Sequence, residues 1–83
     1  MPEYSNIANS KKFLRILTRL KNRFGVEISG GGKHPIKVTS IHTNETYPIP
    51  CGHREINIHI IKHFVLWLVK NKICTKKEFN SLI

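Results

Sequence analysis

The chain has 83 residues, enough for one domain with one modest core, and its fourteen Lys and Arg against five Asp and Glu give a formal charge of +9 and a pI near 10.0. Such an excess favours an anionic partner, with nucleic acid first among them. It also suits an acidic protein or an anionic membrane surface, but no apolar run reaches the roughly 18 residues that a helix needs to span a bilayer. Met1 to Asn9 lacks the basic and apolar regions of a signal peptide, and Cys51 and Cys74 are too few and too isolated for a disulfide framework. The sequence therefore reads as an intracellular, cytoplasmic protein.

Residues 1–9 are polar with scattered Tyr4 and Ile7, and read as a loosely docked extension. From Ser10, read as an N-cap, Phe13, Ile16, Leu17, Leu20 and Phe24 recur at helical spacing, and Gly25 stops the helix. Lys11, Lys12, Arg15, Arg19 and Arg23 lie on the other side, as a solvated face or as a ridge that meets phosphates. Val26-Glu27-Ile28 alternates as a half-buried strand and runs into three glycines. Ile36 and Val38 alternate with Lys37 and Thr39 in a second strand, His42 to Glu45 reads as a hairpin turn, and Thr46 to Pro50 forms a third strand ended by its own prolines.

Asn57 can cap a second helix running to about Lys72, with Ile58, Ile61, Val65, Leu68 and Val69 turned inward. Ile60 and Trp67 then fall almost opposite, an apolar strip that the first helix or a partner must cover; His59, His63 and Lys70 share a flank between. Thr75-Lys76-Lys77-Glu78 has capping-box spacing and opens a short last helix with Phe79, Leu82 and Ile83. The expected fold is α+β, in the order α-β-β-β-α with a helical tail, and its three-stranded antiparallel sheet packs against two helices.

Gly30-Gly31-Gly32-Lys33-His34 is where chemistry concentrates. Consecutive glycines permit positive φ and close approach of a ligand, and a cation and an imidazole follow at once. Pro35 restricts His34 to an extended backbone at the first position of the second strand. By parity with Ile36 the His34 side chain faces inward in a regular strand; a twist or bulge at this end, which the glycines and Pro35 favour, leaves its direction open.

The pattern resembles the HicA-type mRNA interferase toxins, small proteins of double-stranded-RNA-binding-domain-like fold. The residues that carry the resemblance are Phe24-Gly25, then Gly32-Lys33-His34, then Pro48-Ile49-Pro50 with His53, and a helix and tail over residues 56–72 and 78–82. Lys33 stands where that family usually has serine, and Pro35 where many members have a second histidine or an apolar residue. The resemblance implies a toxin of a type II toxin–antitoxin system that cleaves mRNA, with His34 as its catalytic histidine and a HicB-type antitoxin as its protein partner.

RNA can be cleaved without metal when a base takes the 2′-hydroxyl proton and cations stabilise the charge gathering on phosphorus. Imidazole titrates near neutrality, so His34 can act as base or acid. Lys33 can stabilise the pentavalent phosphate, and His53 or a water is the candidate second proton-transfer group. Lys11, Arg15, Gly32, Lys33 and Lys37 are the candidate RNA contacts. No cofactor or metal is expected. Two other readings stand beside this one. A non-catalytic RNA-binding module of the same fold uses every feature except His34. A zinc-stabilised interaction domain would draw on Cys51, His53, His59 and His63, although Cys51-Gly52-His53 lacks the usual Cys-x-x-Cys spacing. A nucleotide phosphate loop is disfavoured because histidine follows Lys33 in place of the Ser or Thr that would hold magnesium.

Overall fold

Alternating strands and two strongly one-sided helices build an α+β fold in the expected α-β-β-β-α order, with a third short helix at the end. The computed structural model describes residues 4–31, 34–50 and 55–83, the side chains of Ser5 and His34 excepted. Helix α1 (Ser10–Phe24) is followed by strands β1 (Val26–Gly31), β2 (His34–Ser40) and β3 (Thr46–Ile49), then by helices α2 (Ile58–Lys70) and α3 (Lys76–Asn80). The strands pair antiparallel in the order β1-β2-β3. Pro48 lies on the edge strand β3, where a missing N–H costs the sheet least.

One face of the sheet is apolar and covered. Val26, Ile36, Val38 and Ile49 are buried there against Phe13, Ile16, Leu17 and Leu20 of α1 and Ile61, Phe64, Val65 and Leu68 of α2. The other face carries Glu27, Lys37, Thr39, Thr46 and Pro48, and the Thr39 and Thr46 hydroxyls meet across it at 3.0 Å. Phe64 is the centre of the core. Its ring contacts those of Phe13, Tyr47, Trp67 and Phe79 at centroid distances of 5.4–6.2 Å.

The helix ends show which polar groups set the boundaries. Asn9, not Ser10, is the N-cap of α1: its backbone is extended, and its side-chain oxygen accepts from the N–H groups of Lys11 and Lys12. Gly25 ends the helix at φ 77°, in the left-handed region that glycine enters without steric cost. Helix α2 starts at the Asn57 cap as expected but stops at Lys70, two residues before the expected end. There the Lys72 N–H donates to the Val69 carbonyl and the Ile73 N–H to that of Leu68, the two bonds of a Schellman motif. The position that motif usually gives to glycine is held by Lys72, at φ 57°. A non-glycine residue there costs roughly 1–2 kcal/mol. The Thr75–Glu78 capping box forms in full at the start of α3.

Three packing expectations are corrected. Residues 4–9 are not a loose extension. Tyr4 and Ile7 are buried, Tyr4 packs edge-on against Phe79, and the Ile56 N–H donates to the Ala8 carbonyl. On α2, Val69 is 44% exposed and Phe64 takes its place inside. At 100° per residue that exchange turns the buried face toward Ile60 and Trp67, which become its flank. They are covered by β3, not by α1 or a partner: the Tyr47 ring lies against Trp67 at 5.7 Å and its hydroxyl donates to the Ile60 carbonyl.

Candidate nucleic-acid interface

Six cations and no acidic residue occupy the fifteen positions of α1. The buried stripe of Phe13, Ile16, Leu17 and Leu20 fixes the helix's rotation, so Lys11, Lys12, Arg15, Arg19 and Arg23 are held on the exposed side over about 18 Å of helix rise. The ridge has two parts. Arg19 donates from Nη1 to the Leu82 carbonyl at 2.6 Å, and Arg23 from Nη1 to the Ser81 hydroxyl at 3.2 Å. These two arginines hold the last residues against α1 and shape the rims of two grooves. One, of about 300 Å³, is lined by Lys12, Arg15, Arg19, Ile7 and Ile16 among others; the second lies between Arg19, Asn22, Arg23 and the 81–82 segment.

Lys11 and Lys12 stand out electrostatically. They occupy the first turn of α1, where the helix dipole is positive and cations are unfavourable by roughly 0.3–1 kcal/mol each. Lys21 and Arg23, in the last turn, sit where the same dipole favours them. The N–H groups of Lys11, Lys12 and Phe13 are already taken by Asn9, so what this end offers an anion is the two lysine charges together with the positive end of the dipole.

The topology relates that first turn to His34. Helix α1 ends beside the Val26–Ser40 pair, where Gly25 adjoins the Ile41 side chain, and runs back about 22 Å from there to its first turn. Asn9 at that turn bridges Glu55, and Ile49 at the end of β3 pairs with Ile36 near the start of β2. His34 is the first residue of β2, as expected from Pro35, and pairs with Gly31. The register shifts between Ser29 and Gly31, so Pro35 and Ile36 together oppose Gly30, a β-bulge. Gly30 has φ 87°, and a Cβ there would drive into the Pro35 carbonyl oxygen. Because of the bulge, parity counted back from Ile36 does not fix where the His34 side chain points.

The candidate contacts fall into three groups. Lys11 and Arg15 are exposed and one turn apart on α1. Lys37 is exposed on the uncovered face of the sheet, between Ser29 and Pro48, with the whole sheet between it and α1. Gly32, Lys33, Cys51 and His53 lie outside the described residues, as does the His34 side chain. Among the described residues no three His, Cys, Asp or Glu side chains are grouped to hold a metal ion, and no helix is long and apolar enough to cross a membrane. His59 and His63 are exposed on α2. Sequence periodicity missed the engagement of Arg19 and Arg23 by the 81–82 segment, because contacts between positions some sixty apart leave no local signal. Comparison of the chain with family models, with curated proteins and with solved structures finds no match.

Proposed function

We propose that this chain is a ribonuclease toxin of a toxin–antitoxin pair, which binds mRNA along α1 and cleaves it without metal through His34. The observation that carries the reading is the placement of Lys11 and Lys12 at the positive end of α1, toward the end of the sheet where His34 opens β2. The resemblance to HicA-type toxins supplies the rest. In this mechanism His34 removes the 2′-hydroxyl proton, the 2′-oxygen bonds to phosphorus, and the bond to the 5′-oxygen breaks as that oxygen takes a proton from a second group, His53. Lys33 stabilises the phosphorane charge. General acid–base transfer of this kind contributes typically 10²- to 10⁴-fold. The protein acts in the cytoplasm, and an acidic, HicB-type antitoxin occludes His34, drawn by the +9 charge.

The test is His34→Ala beside Lys33→Ala. His34→Ala folds, binds RNA as the parent does, and loses cleavage and growth arrest by a factor on the order of 10² or more; Lys33→Ala loses less cleavage and some binding. Wild-type cleavage by a folded His34→Ala protein rejects His34 as the catalytic residue, and a parent protein that binds RNA without cleaving it leaves a non-catalytic RNA-binding module, which needs only the α1 cations.

A further inference from the structure

At the far end of β2 from His34, about 20 Å along the strand, the hairpin between β2 and β3 meets the end of α2 and leaves a cleft of about 530 Å³ lined by His42, Thr43, Lys70, Asn71 and Lys72. Its walls are fixed. Ser40 is fully buried, and its hydroxyl accepts from the N–H groups of both His42 and Thr43. Asn71 is 5% exposed; its Nδ2 donates to the Trp67 carbonyl and its Oδ1 accepts from the Thr43 hydroxyl at 2.5 Å, which ties the hairpin to the helix end. The exposed charged side chains of this cleft are those of Lys70 and Lys72, with the His42 ring beside them.

The two lysines have an ordinary explanation, since cations at a helix C-terminus complement its dipole. That explanation covers Lys70, which is in the last turn. It does not account for Lys72, which holds a left-handed backbone position where glycine would be free of strain and where the carbonyls of Val69 and Leu68 are already satisfied by backbone N–H groups. Two full charges also outweigh the roughly half charge of the dipole, so the cleft remains attractive to anions.

We infer that this cleft is a second phosphate site, formed by Lys70, Lys72 and His42, that holds a phosphodiester of the RNA strand at a distance from the cleavage end. The inference rests on the proposed RNA-binding function and adds where else the strand is gripped. A strand gripped both along α1 and at this cleft is held at two separate points, so this site contributes to register as well as affinity.

The test measures binding of a single-stranded RNA oligonucleotide to Lys72→Gly and to Arg15→Ala across a salt series, in the His34→Ala background so that the probe survives. Lys72→Gly relieves the left-handed strain, so it raises the melting temperature. It also lowers the slope of log affinity against log salt by about 0.7 and the affinity about fivefold near 0.1 M salt. Inorganic phosphate, titrated while the His42 ring resonances are followed, separates a site for free phosphate from one for the polymer. A shift at millimolar phosphate with no change in RNA slope overturns the RNA assignment. An unchanged slope in Lys72→Gly with a reduced one in Arg15→Ala overturns this site and leaves the α1 interface standing. Parent binding that does not depend on salt overturns both.

Discussion

Gly25 and Gly30 have nearly the same backbone, at φ 77° and 87°, and very different neighbours, so replacing each by alanine separates the cost of the dihedral from the cost of the side chain. At Gly25 a new Cβ would meet nothing nearer than Ile41 Cδ1 at 3.6 Å, an ordinary contact. Gly25→Ala is thus charged only for the left-handed backbone, roughly 1–2 kcal/mol. At Gly30 the same methyl would press into the Pro35 carbonyl oxygen and lie 3.2 Å from the Pro35 carbonyl carbon and 3.4 Å from Ile36 Cα, all of them backbone. Backbone in a bulge cannot rotate aside as a side chain can, so an overpacking cost of about 1–3 kcal/mol is added, for about 2–5 kcal/mol in all. Against a total stability of roughly 5–15 kcal/mol that is a severe loss. Urea denaturation of the two variants gives the difference directly, and the melting temperature should fall by about 4–8 °C per kcal/mol in a domain of this size. Because the clash falls on Pro35, the residue next to His34, Gly30→Ala should also lower RNA cleavage beyond its loss of folded protein, and Gly25→Ala should not. A Gly30→Ala protein no less stable than Gly25→Ala would refute the bulge geometry.

Two further outcomes follow from groups described above. Arg19→Ala removes a charged hydrogen bond to the Leu82 carbonyl and should cost about 1 kcal/mol in thermal denaturation, whereas Arg15→Ala, directed to solvent, should be neutral there and act only on RNA binding; equal stability of the two variants would contradict the division of the ridge. Burial, reinforced by the nearby Glu78 carboxylate, pushes the Cys74 thiol up to about 11 from an ordinary 9.0. The folded state then holds that proton more tightly than the unfolded chain, so this contribution is complete below pH 9 and is lost as the pH rises toward 11, at up to about 1.4 kcal/mol per pH unit. Cys74→Ser should flatten the alkaline limb of the stability profile, and an unchanged limb would show that the thiol does not titrate with folding.

The fold was legible where the cause is local. Period-two alternation at Ile36 and Val38, the helical recurrence from Phe13 to Leu20, the left-handed stop at Gly25 and the Thr75 capping box each depend on a few consecutive residues. What escaped depends on contacts far apart in the chain. Tyr4 is buried because Phe79 is there to receive it, and the α2 face is turned toward Phe64 because three other elements present rings to it. Ser10 and Asn9 are both good caps by residue type, and only the backbone angles choose between them. In the candidate interface, the cations of α1 were legible as a set. Their division into Arg19 and Arg23, engaged by the 81–82 segment, and Lys11 and Arg15, left to solvent, was not.

The edge-on contact of Tyr4 with Phe79 joins the first described residue of the chain to its last helix, and Phe79 in turn touches Phe64 at the centre of the core. This couples the order of synthesis to the order of folding. A ribosome releases the aromatic residues of the N-terminal segment, α1 and β3 well before it releases Phe79, so during translation the hub around Phe64 lacks one wall and Tyr4 has no seat. The sheet and its two long helices are within reach of local pairing, whereas closure of the core waits on contacts spanning almost the whole chain, the kind that slow folding most. Until that closure, the nascent chain exposes an aromatic surface beside a strongly basic helix.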